Sequence, residues 1–165
     1  MVVRDETPQD TDAVRNIVTR AFERPDEAAL VDALRAAGKA TLALVAEQDG
    51  RVVGHVLFSP VTLDGAPFGW GLAPLAVLPE EQGSGRGSAL ARAGLERCRA
   101  SGVATVVVLG DPEYYRRFGF EAADRHGLRC EYDAPPDAFQ VIALAPGALA
   151  GRTGLVRYAP EFAGF

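Results

Sequence analysis

Apolar and polar positions change rhythm along this chain, and each change marks an element. Val2 to Arg4 form a short first strand, and Thr7-Pro8-Gln9-Asp10 has the form of a capping box with proline at the first helical position. The helix so opened carries Val14, Ile17, Val18 and Ala21 at helical spacing. It stops near Arg24-Pro25, because the residue before proline avoids helical backbone angles. Asp26 is placed to cap a second helix whose stripe is Leu30, Val31 and Leu34, and Gly38 supplies its stop. From Thr41 the period becomes that of a strand. Thr41 to Gln48 is rich in strand formers, Asp49-Gly50 is a two-residue hairpin turn, and Arg51 to Val61 returns as the partner. Asp64-Gly65 repeats the device before a strand from Phe68 to Val77, so the stretch reads as an antiparallel meander.

A glycine-rich segment, Gln82 to Gly87, separates the meander from a helix over Ser88 to Ser101, with Leu90, Ala93, Gly94 and Arg97 marking its faces and Gly102 its end. Val103 to Leu109 is an apolar run too short for a helix, the mark of a central strand covered on both faces. Asp111-Pro112-Glu113 opens a short helix through Tyr114, Tyr115, Arg116 and Arg117, which Gly119 ends. Leu128 to Tyr132 and Phe139 to Leu144 read as a last pair of strands across a Pro135-Pro136 turn, with Phe139 to Leu144 as an exposed edge that leaves a homodimer open. In the tail, Val156, Tyr158 and Phe162 are spaced as though tucked against the body.

Composition narrows the class. With 165 residues, 48% apolar and 24% charged, the chain reads as one domain over residues 1–165 with a single core. A net charge of -5 and a pI of about 5.1 provide no basic field for nucleic acid or an anionic membrane. No apolar run approaches the roughly 20 residues of a bilayer span. The start, Val2-Val3-Arg4-Asp5-Glu6, is not a basic and then greasy leader, so a cytoplasmic location is expected. Cys98 and Cys130 lie far apart with no metal-ligand spacing, and are read as free buried thiols with no metal.

Candidate chemistry concentrates in Val77-Leu78-Pro79-Glu80-Glu81-Gln82-Gly83-Ser84-Gly85-Arg86-Gly87-Ser88, where a strand, a turn, three alternate glycines and a helix start follow one another. Glycines let successive N–H groups converge, and a helix start adds donors and the positive end of a dipole, so the segment suits a pyrophosphate. Arg86 and the Ser88 hydroxyl are placed to assist. The ending lacks the Gly-Lys-Ser of a Walker loop. The spacing is G-x-G-x-G rather than the G-x-G-x-x-G of a dinucleotide fold. A plain glycine-rich link between strand and helix is the other reading of the three glycines alone.

Gln82-x-x-Gly85-x-Gly87 resembles the Q/R-x-x-G-x-G/A signature of the GCN5-related N-acetyltransferases. Asp111-Pro112-x-Tyr114-Tyr115-x-x-Phe118-Gly119-Phe120 resembles that family's second hallmark, after the next strand. The stretches Val53 to Pro60, Leu75 to Pro79, Val107 to Pro112 and Gly154 to Tyr158 look like its bacterial YhbS-type members, so the resemblance covers nearly the whole chain. It implies an α/β (α+β) fold: a mixed, mostly antiparallel twisted sheet flanked by helices and splayed between two central parallel strands. Acetyl-CoA would lie in that gap, its pantetheine arm paired with the backbone of Leu75, Ala76 and Val77 and its diphosphate on Gln82, Gly83, Ser84, Gly85, Arg86, Gly87 and Ser88.

The resemblance further implies transfer of the acetyl group to an amine of a small molecule or peptide, with coenzyme A as product and Tyr115 as the acid that protonates the departing thiolate. Asp111 is placed either to bind the pantetheine amide or to cap the short helix. No general base declares itself; His55 or a water relay would serve. Glu80 and Glu81 read as a solvated rim, and Trp70, Glu131 and Asp133 are candidates for the acceptor side. A non-catalytic acyl-CoA sensor, or an acyltransferase with another donor or a hydroxyl acceptor, are the rival readings.

Overall fold

Asp49-Gly50 and Asp64-Gly65 take left-handed angles at both residues (φ 53° and 76°, then 48° and 87°), as a two-residue turn between right-twisted strands demands. A computed structural model describes residues 1–163. Around these turns run β1 (Val2–Asp5), β2 (Leu42–Gln48), β3 (Arg51–Leu63) and β4 (Ala66–Val77). The chain divides into two compact units, one holding Met1–Ser59, Ala73–Gly94 and the residues from Pro160, the other Pro60–Leu72 and Leu95–Ala159.

In the first unit β1 pairs antiparallel with β2 (Val2↔Glu47 to Asp5↔Leu44), and β2 with β3 (Leu42↔Phe58 to Gln48↔Arg51). A tight turn, Pro8–Asp10, leads into α1 (Thr11–Phe22). The buried Asp10 carboxylate fastens that turn: it accepts from both terminal nitrogens of Arg4 (2.8 and 2.9 Å) and from the Thr7 N–H (2.8 Å). The Arg4 guanidinium, foremost among these donors, holds the Asp10 carboxyl well below the usual carboxylate range. In α2 (Asp26–Ala36) the cap position belongs to Pro25 rather than to Asp26. Pro25 already has a near-helical backbone (φ -82°, ψ -8°), so Asp26 falls inside the first turn, where its charge complements the helix dipole.

Side chains of β3 alternate between two covered faces, which is why Val53 to Ser59 is buried without interruption. Gly54 and Phe58 face α3 (Arg86–Ala100), whereas His55 faces Glu6 on the other side. The helix lies close. A Cβ at Gly54 would stand 2.8 Å from Leu90 Cδ1, and one at Gly94 would be driven into the Phe58 ring.

In the second unit β5 (Thr105–Leu109) runs parallel to β4, but their ladder contains only Trp70↔Val106 and Gly71↔Val107. On its other edge β5 pairs antiparallel with β8 (Phe139–Ala143) over five residue pairs, and β8 pairs with the short β6 (Glu121–Ala122). Phe139 to Leu144 is therefore no exposed edge. A strand buried on both faces leaves no water for its N–H and C=O groups, so β5 needs a partner on each side, and β8 is the second. Nor do the last two predicted strands pair with each other. β7 (Leu128–Cys130) instead runs parallel to β9 (Gly154–Arg157), which closes antiparallel on the end of β3 through Thr62↔Arg157 and Leu63↔Val156. The tail is thus a strand, with Val156 and Tyr158 buried as their spacing suggested. Apart from β4–β5 and β7–β9, these ladders are antiparallel.

The close seat of α3 is testable. Gly94→Val is expected to lower stability by about 1–3 kcal/mol through overpacking against Phe58, read as a lower urea midpoint. An unchanged midpoint would separate the helix from that ring.

Candidate functional site

After β4, Leu78 N–H donates to Val53 O (2.9 Å) and a tight turn, Pro79–Glu81, brings the chain to Gln82. The Gln82 side chain folds back, its Nε2 donating to Val77 O at 2.9 Å. Gly83 and Gly85 then take φ of 83° and 86°, and a Cβ on either would meet nothing within 4 Å. They are required for the sign of their backbone angles, not for lack of room. α3 begins at Arg86, two residues before the expected Ser88, and Ala89 N–H donates to Gly85 O (3.0 Å). The predicted cradle is therefore a loop from Gln82 to Gly85 joined to a first helical turn of Arg86, Gly87 and Ser88. Amides at such a junction, on the positive end of a 15-residue helix, attract an anion. Upstream, Ala76 and Val77 are buried and Leu75 half-buried, and none of the three belongs to the parallel β4–β5 ladder.

Arg86 does not extend toward an open cradle. Its Nε donates to Gln48 Oε1 (2.9 Å), as does Nη2, which also lies 3.0 Å from Glu81 Oε2. Nη1 donates to Glu81 O (3.3 Å) and to Ser84 Oγ. Glu81 is accordingly half-buried against Arg86, whereas Glu80 lies at the surface, gripped by Arg20 (3.0 and 2.8 Å) and Arg51 (3.0 Å). Arg20 foremost draws the Glu80 carboxyl down to about 2.

The second predicted segment builds a separate cluster. Asp111 Oδ1 accepts from Glu113 N–H (2.9 Å), so its carboxylate caps α4 (Pro112–Tyr115). The Tyr115 ring lies over the backbone of Gly110, where a Cβ would stand 2.5 Å from its Cε2. It meets Tyr114 and Phe120 edge-on, with centroids 5.0 and 5.8 Å away. Burial pushes the Tyr115 phenol up to about 12, with a smaller push from Tyr114. Gln140, 1% exposed, donates through Nε2 to Gly110 O (3.3 Å) and fixes the peptide on which that ring rests.

Comparisons with known proteins match a span that contains both segments. Residues 11–120 match the acetyltransferase (GNAT) family. The chain belongs to the GNAT acetyltransferases. It is 46% identical to an uncharacterized N-acetyltransferase, YhbS, of Escherichia coli K12 over 98% of both chains. The crystal structure of E. coli YhbS in complex with CoA superposes with a TM-score of 0.94 at 45% identity, covering 98% of this chain and 91% of that one. A GNAT family acetyltransferase from Brucella melitensis in complex with acetyl-CoA gives 0.83 at 42% identity, covering 98% and 97%.

Other predicted residues of this GNAT chain fall elsewhere. His55 is fully buried (0% exposed), its Nε2 3.2 Å from Glu6 Oε1 but outside hydrogen-bond alignment. Burial holds its pKa below the ordinary value, so the ring is neutral and out of solvent's reach. Glu131 Oε1 accepts from Tyr158 N–H (2.8 Å) and ties down the tail, while Asp133 lines a pocket of about 210 Å³ with Cys130, Tyr132 and Phe139. Trp70 is half-buried in the β4–β5 ladder. Both thiols are free, but Cys130 is only half-buried. Among the described residues no helix is long and apolar enough to cross a membrane. Gln48, Gly110 and Gln140, which hold these segments, are not among the residues that the sequence pattern singles out. Only the glycine, adjoining the aromatic hallmark, carried a local signal.

Burial of Tyr115 makes stability depend on pH. Between the ordinary phenol value of 10 and about 12 the folded chain keeps a proton that the unfolded chain has released. Its contribution is therefore intact below pH 10 and is lost as pH rises through 12. Tyr115→Phe is expected to flatten the alkaline fall in Tm. Parallel falls in both proteins would place the phenol in solvent.

Proposed function

We propose that this protein transfers the acetyl group of acetyl-CoA to an amine of a small molecule or peptide, acting as one catalytic domain. The carrying observation is the left-handed Gly83 and Gly85 loop opening directly onto α3, in a chain whose relatives were solved with CoA and with acetyl-CoA. In this reading the amides of Gly83 to Ser88 receive the diphosphate, and the open space at both glycines leaves room for it. Gln82 holds the loop to Val77, and the backbone of Leu75, Ala76 and Val77 pairs with the pantetheine arm in the manner of an added strand. Asp111 acts through its cap on α4, setting the helix that carries Tyr115.

The thioester supplies an activated acyl carbon. A neutral amine attacks that carbon, the N–C bond forms, the C–S bond breaks, and the thiolate takes the Tyr115 phenolic proton while water accepts the proton of the amine. Protonated at any physiological pH, Tyr115 is always ready to donate. His55, neutral and buried, takes no part in this route.

Calorimetric titration with acetyl-CoA, free CoA and NADH is the first test. Saturable binding of both coenzyme A species without NADH supports the donor site, and absence of binding removes it. Thiol release with an amine panel then separates an enzyme from an acyl-CoA sensor. Tyr115→Phe is expected to lower kcat by roughly a hundred-fold with little change in acetyl-CoA affinity; unchanged turnover would take Tyr115 out of the reaction. Gly85→Val is expected to weaken acetyl-CoA binding through backbone strain, since a Cβ there meets no obstacle but φ is 86°. Wild-type affinity in that variant would put the diphosphate elsewhere.

A further inference from the structure

The Arg86 guanidinium has no donor left for a ligand. A guanidinium carries five N–H groups, and here Nε meets Gln48, Nη1 meets Glu81 O and Ser84 Oγ, and Nη2 meets Gln48 and the Glu81 carboxylate. Its side chain is 14% exposed and its charge is answered by Glu81. Gln48 is the last residue of β2, 38 positions away in sequence, beside the left-handed Asp49-Gly50 turn. Through one side chain, the first residue of α3 is thus tied at once to a strand end, to the end of the Pro79–Glu81 turn and to the glycine loop at Ser84.

We propose that Gln48, Glu81 and Arg86 are positioning residues that brace the cradle loop in its ligand-binding shape, and that Arg86 is not a phosphate ligand. The proposal rests on the donor site described above. It follows that the diphosphate is held by main-chain amides and the helix dipole, with no help from the one cation in the loop's own sequence. Left-handed glycines open the loop to many backbone states, and the bridge from Gln48 selects one of them before ligand arrives.

Hydrogen–deuterium exchange on the unliganded protein, paired with acetyl-CoA titration, tests the brace. Gln48→Ala is expected to speed amide exchange over residues 82–88 and to raise Kd roughly ten-fold, the worth of a hydrogen bond to a charged group. Gln48→Glu, which keeps an acceptor oxygen, should restore both readings. Arg86→Lys keeps the charge but cannot span Gln48, Glu81 and Ser84 together, and should fall with Gln48→Ala. The double variant Gln48→Ala/Arg86→Ala should be no weaker than Arg86→Ala alone. The ionic-strength dependence of Kd should be the same in Arg86→Ala as in the wild type. Wild-type exchange and affinity in Gln48→Ala, or wild-type affinity in Arg86→Lys with a shallower salt dependence in Arg86→Ala, would overturn the proposal. Because exchange is read without ligand, a wild type that fails to bind acetyl-CoA would remove the proposed function and leave the brace to stand or fall on its own.

Discussion

The close approach of α3 to β3 is the constraint on which the candidate donor site depends. Helix and strand meet where Gly54 and Gly94 remove the two side chains that would hold them apart, so that Leu90 lies on one bare backbone and the Phe58 ring enters the other. A helix seated so tightly cannot slide along the strand without colliding, and its first turn is thereby placed to within the tolerance of van der Waals packing. The chain leaves β4 at Val77 and must reach that turn, and the Leu78–Val53 and Gln82–Val77 hydrogen bonds fix where it starts. What remains between the two anchors is short, and Gly83 and Gly85 turn it with positive φ.

Much of this was legible in the sequence wherever its cause was local. The Asp-Gly pairs announced both hairpins, because left-handed turns restrict residue choice more than any other feature of a sheet. Proline and the capping residues marked the Pro8–Asp10 turn that leads into α1, which itself begins three residues later at Thr11, and Asp111 marked the start of α4. Val103 to Leu109 declared a central strand by composition, but nothing in it named its neighbours. The partners of β7 and β8 lie on opposite ladders, chosen by burial of β5 on both edges and by a tail strand from beyond residue 150. Two apolar runs flanking a Pro-Pro turn look like a hairpin only when such distant partners are out of sight. The same limit applies to the site. The glycine loop was legible by spacing, whereas Gln48, which holds its only arginine, sits 38 residues from it with no periodic or chemical signature.

Charge in this protein is used chiefly to hold main-chain segments. Arg4 with Asp10 secures the turn ahead of α1, Arg35 with Glu6 joins α2 to the segment after β1, and Arg20 and Arg51 converge on Glu80 ahead of the cradle. Arg86 with Glu81 repeats the pattern inside the cradle itself. The exposed pairs on Glu80 are weak singly, whereas Asp10, Glu6 and Arg86 are largely withdrawn from solvent and hold their partners more firmly. The net charge of -5 therefore describes what is left over after bracing and gives no guide to a ligand's sign.

In the proposed reaction the raised proton affinity of the half-buried Tyr115 sets a condition on the departing sulfur. Tyr115 at about 12 is a poor acid toward an ordinary thiolate, whose conjugate thiol lies near 8.5. Transfer from a phenol so raised to a thiolate left in water would run uphill by about three to four pKa units. Desolvation, however, acts on both partners. Cys98, a thiol of this same chain, is pushed up to about 12 by burial alone, and a coenzyme thiolate enclosed as thoroughly would be raised in the same direction. Donor and acceptor then match, and the proton passes without a large penalty. Enclosure of the sulfur is thus a condition of the proposed acid-assisted step. A leaving thiolate reached by water is a weaker base and leaves Tyr115 protonated, so the rate of the acid-assisted step should follow how completely the acyl end is shut away from solvent. The Gly110 seat and the Gln140 hydrogen bond that fixes it hold the phenol where burial keeps its proton affinity high.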